Sequence, residues 1–138
     1  MAKPLQFPYT ITNPALGASG SLPYLPFMLQ HQQHTISATG LVDSGAMVNV
    51  LPFQIGLQLG LDWAQQTVPV QLTGNLARDE ARGVIVSASV GTFAPVRLAF
   101  AWTVSEEVPV LLGQMNFFLE FDVCFFRSQS IFEIKPKP

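Results

Sequence analysis

The chain has 138 residues, with nine acidic and seven basic side chains and a formal net charge of -2. That length fits one domain over residues 1–138 with a core of its own. The charge is sparse and forms no basic run, which excludes the electrostatic footprint of a nucleic-acid binder. Eleven Phe, 11 Pro and 10 Gly in a sequence that is 49% hydrophobic read as a compact, turn-rich β protein rather than a disordered chain or a helical bundle. Cys124 is the only cysteine. No internal disulfide can form, and a reducing, cytoplasmic setting is expected. No long apolar segment follows Met1-Ala2-Lys3-Pro4-Leu5, so neither a signal peptide nor a membrane span is expected.

Leu5 to Ile11 predicts a first strand, with Pro8 confining it to a sheet edge. Asn13-Pro14 and Gly17 to Ser21 are loop chemistry. Leu25–Leu29 and Thr35–Val42 predict a strand pair joined by the polar link Gln30-His31-Gln32-Gln33-His34. The two histidines have no second His or Cys pair elsewhere, so they are assigned no role, and neither a metal nor a cofactor is expected. The second strand of the pair runs Leu41-Val42 directly into Asp43-Ser44-Gly45-Ala46. A strand that has just been buried does not ordinarily end on a charge, because an isolated buried carboxylate is costly. Asp43 is therefore a functional candidate.

Beyond it, Leu51, Ile55 and Leu59 repeat at a spacing of four and predict a short helix, with Pro52 in its first turn and Gly60 at its stop. Thr67–Thr73 and Val84–Val90 predict two paired strands. In the second, Val84, Val86, Ala88 and Val90 share one face and Ser87 and Ser89 the other. The polar connector from Gly74 to Gly83 predicts a long hairpin tip. Val96, Leu98, Phe100 and Trp102 form the buried stripe of another strand, with Trp102 as core. An apolar strand ends in Leu111-Leu112-Gly113, and Met115, Phe118 and Leu119 follow at helical spacing. Phe121–Phe126 and Ser130–Ile134 predict two final strands, with a polar turn at Arg127-Ser128-Gln129. Cys124, set among aromatics, reads as a buried structural thiol. The whole is all-β in class, a closed or nearly closed barrel with two short helices.

Leu41-Val42-Asp43-Ser44-Gly45-Ala46 resembles the active-site signature of the retropepsin-like aspartic proteases: two apolar residues, Asp, Thr or Ser, Gly, Ala. Leu111-Leu112-Gly113 resembles the apolar-apolar-Gly element of the same family in kind and in distance along the chain. The resemblance covers about Leu25 to Phe126 and implies a single acid-protease lobe per chain. It implies that Asp43 is catalytic, that Ser44, Gly45 and Ala46 support the active-site loop, and that Leu111, Leu112 and Gly113 pack beside it. It implies that the hairpin tip Asn75-Leu76-Ala77-Arg78-Asp79-Glu80 is the flap that closes over substrate.

Peptide hydrolysis of this kind needs two carboxylates sharing a proton. The other acids of the chain have no Ser-Gly after them. A complete site therefore calls for a homodimer acting on an extended peptide. Viral members build a dimer sheet from short chain ends; the longer tail here implies a differently built interface. Two alternatives stay open: a catalytically silent domain that dimerises or binds peptides, and a small barrel holding an apolar ligand with Asp43 as its polar anchor.

Overall fold

The structure is a computed structural model that describes residues 2–138. Where the sequence predicts one initial strand there are two, β1 (Leu5–Pro8) and β2 (Thr10–Ile11). They part at Tyr9, whose N–H turns away to the carbonyl of Ser130 at 2.8 Å. Asn13 accepts the Ala15 N–H at 3.1 Å and opens a 3-10 turn over Pro14–Gly20. This leads to β3 (Ser21–Leu22), the partner of β2.

β4 (Tyr24–His31) and β5 (His34–Val42) form a hairpin tighter than the polar link suggested. Its strands pair out to His31 and His34, and Gln32 takes the left-handed conformation, φ 53°, in the turn. β6 (Asn49–Leu51) leads into α1 (Phe53–Gln58), capped by Pro52 and followed by Gly60 at φ 76°. Leu51 and Leu59 are fully buried, but Leu51 belongs to β6 and Leu59 follows the last helical residue, so of the predicted helix face only Ile55 lies within α1. Both histidines pack on the end of α1: His31 Nδ1 lies 3.2 Å from the Leu59 carbonyl, and the His34 ring covers Gly60.

The strand predicted over 67–73 is absent. The segment is extended but meets its neighbour at one bridge, Pro69 with Arg82, flanked by hydrogen bonds from Val70 N to Ala81 O and from Gly83 N to Val68 O. Pro69 sits at the non-hydrogen-bonded position of that bridge, with its backbone nitrogen turned away from β7, and the chain departs into 3-10 turns at Trp63–Gln65 before it and Gly74–Leu76 after it. The chain then runs through β7 (Ala81–Ser89), β8 (Val96–Thr103), β9 (Val110–Leu112), α2 (Phe117–Glu120), β10 (Phe121–Phe126) and β11 (Ile131–Pro136). Gly83 lies within β7, so the loop before that strand ends at Glu80.

Six strands close a barrel in the order β4-β5-β9-β6-β8-β7. Its interior is the alternating set the sequence marked: Leu25, Leu29, Val84, Val86, Leu98 and Phe100, all buried. The second face of β8 is covered as well: Ala101 packs in a small cluster with Val50, Leu72 and Ala81, and Ala101 and Thr103 are nearly as buried as Trp102. Trp102 stacks on Phe53 at 5.5 Å and meets Trp63 edge-on at 5.2 Å, and its Nε1 donates to the Phe53 carbonyl. The Arg82 guanidinium caps this cluster, 4.4 Å from the Trp63 ring.

The chain ends form a separate three-stranded sheet, β1-β11-β10, in which β1 is the edge that Pro8 predicted. α2 is shorter than its sequence pattern. It is a single turn that buries Phe117, while Met115 and Leu119 are 63% exposed, so Met115, Phe118 and Leu119 do not share a buried face. The residues before it are held extended against the Asp43 loop instead. Cys124 is exposed, contrary to the buried thiol expected. Strand alternation turns it to the side opposite Phe121, and its aromatic neighbours Phe125 and Phe126 are themselves exposed.

A methyl group added at Gly56 would overlap the Trp102 indole. Gly56→Ala should therefore lower stability by about 3 kcal/mol through overpacking. Thermal unfolding would show this as a fall of roughly 10 °C.

Candidate functional site

The Asp43 loop is placed by two strand ends lying side by side. β5 and β9 run parallel, with Gly40 against Val110, Leu41 against Leu111 and Val42 against Leu112. Both strands stop at the same level, so Asp43 leaves the barrel beside Gly113. The Asp43 N–H extends the ladder by one bond, to the Leu112 carbonyl at 3.0 Å. The carboxylate is half-buried, and its Oδ1 accepts the Gly45 N–H at 2.9 Å. Ala46 N closes the turn on the Asp43 carbonyl at 3.1 Å. Gly45 thus brings its backbone N–H onto the carboxylate. The Ser44 residue is exposed, and its carbonyl accepts Gln114 Nε2 at 2.8 Å.

Gly113 is where two loops touch. A Cβ there would lie 2.6 Å from the Ala46 carbonyl oxygen and 2.7 Å from that of Val48. Both are backbone atoms that cannot swing aside, so only glycine fits. Past the contact the two segments stay zipped, with Gln114 N to Ala46 O at 2.9 Å, Met115 N to Met47 O at 2.9 Å and Asn49 N to Met115 O at 3.0 Å.

Beneath this contact lies a pair of amides that the sequence reading passed over. Asn49 is fully buried. Its Oδ1 accepts the Gly113 N–H at 2.8 Å, and its Nδ2 donates to the Ala99 carbonyl at 3.0 Å and to Asn116 Oδ1 at 3.2 Å. Asn116 in turn accepts the Ala99 N–H at 3.0 Å and donates to the Arg97 carbonyl at 3.1 Å. Two side-chain amides thereby stitch the Asp43 loop, the Gly113 loop and β8 together. The available signal was an Asn six residues after the Asp, inside an otherwise apolar run.

Asp43 sits in a cleft of about 360 Å³. Met47, Val48, Val50 and Leu111 wall one side, and the segment Gln71–Leu76 walls the other. Of the hairpin tip, Asn75 and Leu76 line this cleft and Ala77, Arg78, Asp79 and Glu80 do not. Glu80 is tied elsewhere. Its carboxylate meets Arg82 at 3.1 Å, and its carbonyl accepts the Thr103 hydroxyl and the Val104 N–H. The cleft therefore receives the uncharged start of the tip, not its charged end. A hollow of about 500 Å³ on the outer face of β4 and β5, lined by Pro26, Met28, Ser37 and Thr39 among others, holds no titratable side chain. Among the described residues, Asp43 is the only acid lining its cleft.

Asn49→Ala should strand the Gly113 N–H in a buried place and remove the donor from the half-buried contact with the Ala99 carbonyl. Each orphaned group costs about 1–3 kcal/mol. A loss of roughly 3 kcal/mol in denaturant unfolding is expected, with faster hydrogen exchange at the Gly113 amide as the local signature.

No protein-family model matches the sequence, and no curated protein does. Solved structures do. A retropepsin-like aspartic protease from Rickettsia conorii superposes with a TM-score of 0.68 at 14% identity, over 96% of this chain and 99% of that one. The retroviral protease-like domain of Ddi1 from Leishmania major superposes with a TM-score of 0.59 at 12% identity, over 85% of this chain and 94% of that one. With its closed six-strand barrel, the chain has the retropepsin-like fold.

Proposed function

We propose that the protein is an aspartic endopeptidase that works as a symmetric homodimer, with one Asp43 from each protomer forming the catalytic pair. The observation that carries this reading is a single carboxylate, fixed by a backbone N–H, in a cleft of mixed aliphatic and polar lining that holds no second acid among the described residues. Acid–base hydrolysis of a peptide needs two carboxylates that share one proton. A two-fold axis beside Asp43 supplies the second from an identical chain.

In this mechanism the ionised Asp43 takes a proton from the lytic water, and the water oxygen adds to the scissile carbonyl carbon. The protonated Asp43 of the partner subunit donates to the carbonyl oxygen. The Gly45 N–H, already on Oδ1, holds the carboxylate in place. Ser44, Gly45 and Ala46 form the supporting loop, and Ser44 faces out toward the axis. Leu111, Leu112 and Gly113 back that loop from behind.

The substrate is an extended peptide lying between the Asp43 loop and Gln71–Leu76. Met47, Val50, Leu72, Leu76 and Leu111 offer aliphatic surface, which favours apolar side chains beside the cleaved bond.

Asp43→Asn keeps the shape of the loop and removes the base. It should lower kcat/KM on a peptide library on the order of 10³-fold, with circular dichroism and dimer mass unchanged. Wild-type activity should follow a bell in pH on the acid side, because one carboxyl must hold the proton while the other lacks it. Full cleavage by folded Asp43→Asn would remove the protease reading. A folded dimer that binds peptides and cleaves none would establish the silent binding module instead.

Shortening the tip by removing Ala77 and Arg78 should impair kcat/KM more than thermal stability, since both residues are exposed, whereas Leu76 packs on the Val50–Leu72 cluster and is kept. Unchanged peptide kinetics in the shortened protein would show that the tip does not cover substrate.

A further inference from the structure

The peptide group between Ser44 and Gly45 is held at both ends. Its N–H, that of Gly45, donates to Asp43 Oδ1 at 2.9 Å. Its C=O, that of Ser44, accepts Gln114 Nε2 at 2.8 Å. The N–H and C=O of one trans peptide lie in one plane and point in opposite directions. Gln114 therefore grips one edge of that plane, and the carboxylate takes the other. A carbonyl only accepts, so the amide nitrogen of Gln114 is the end that faces it.

Gln114 is itself anchored. Its backbone N–H donates to the Ala46 carbonyl at 2.9 Å, and the residue before it, Gly113, gives its N–H to the buried Asn49. Backbone and side chain of one residue thus hold two carbonyls of the Asp43 loop, those of Ala46 and Ser44. The loop depends on such holds. Ser44 and Gly45 are exposed, so water competes for the bonds they make and neither is anchored in the core. The plane between them turns on two soft dihedrals, ψ of Ser44 and φ of Gly45. Among the described residues, Gln114 is the only side chain outside the loop that hydrogen-bonds to residues 43–46. It is exposed, so core packing does not account for it.

We infer that Gln114 is a positioning residue for Asp43, acting through the Ser44–Gly45 peptide. A donor on the Ser44 carbonyl fixes the rotation of the plane, and with it the direction of the Gly45 N–H. It also polarises the amide, which makes the N–H at the far edge a better donor. The carboxylate that receives this bond is held in one orientation, as a base that accepts a proton from water requires. The role differs from that of Asn49 and Asn116. Their bonds lie beneath the loop and end on Gly113 and β8, whereas Gln114 reaches the turn that carries the carboxylate. The inference rests on the protease reading above and adds to it a residue that does not line the cleft.

Gln114→Met tests it, because methionine keeps the length of the side chain and removes the donor. The position is exposed, so thermal unfolding and the mass by sedimentation should match wild type. At protein concentrations where both are dimeric, kcat on a peptide substrate should fall about tenfold with KM unchanged, since the lost bond bears on the reacting group and not on the substrate. In proton–nitrogen correlation spectra of the resting protein, the Gly45 amide proton should move upfield and exchange faster with solvent. The Asp43 amide, bonded to Leu112, should stay in place. The spectra need no turnover, so the two readings fail separately. A wild-type protein that cleaves no peptide overturns the protease reading, and the Gly45 amide then decides the positioning of Asp43 by itself. Wild-type kcat in Gln114→Met, or an unmoved Gly45 amide, overturns the inference and leaves the protease reading intact.

Discussion

The geometry of the Asp43 site depends on one close backbone approach, that of the Gly113 loop to the carbonyls of Ala46 and Val48. β5 and β9 pair in parallel and end together. Two chains leaving a sheet side by side would ordinarily diverge. Here they stay in contact because one of them carries no side chain at the contact point and because Asn49 accepts its N–H from below. The position of Asp43 is a consequence. Its N–H is held by Leu112, its carboxylate by Gly45 and its loop by Gln114.

Asn49 and Asn116 give this arrangement stiffness. A buried amide is costly unless every donor and acceptor is matched. These two are matched to each other and to β8 on both sides. A satisfied polar network tolerates little displacement, which is what a reacting carboxylate requires of its support. The aromatic cluster of Phe53, Trp63 and Trp102 does the corresponding work on the other side of β6 with apolar contacts and a single indole hydrogen bond. Rigidity is thus concentrated around the base of the loop, while the opposite wall of the cleft, Gln71–Leu76, is exposed for most of its length.

The same fold leaves its second sheet incomplete. The barrel has no edges, because it closes on itself. The terminal sheet has two, and a proline blunts only one of them.

The sequence by itself determined the strands of the barrel other than β6, and it marked the candidate carboxylate. Period-two alternation in Leu25–Leu29, Val84–Val90 and Val96–Trp102 depends only on which face meets the core, and Asp43-Ser44-Gly45 stands out because a charge follows a buried strand. It erred where local pattern and long-range pairing disagree. Thr67–Thr73 looks like a strand, but it meets β7 at a single bridge, Pro69 with Arg82, before the chain turns off. Met115, Phe118 and Leu119 look like a helix face, but the Asp43 loop captures the backbone before a helix can start. Cys124 looks buried among aromatics, but β10 has no neighbour on one side. Only the tertiary structure decided that Asn49 and Asn116 meet, that Asn75 and Leu76 rather than Arg78 and Glu80 face the cleft, and that the chain ends pair within one protomer. Each of these joins segments far apart in sequence, and local propensity carries no information about which distant partner wins.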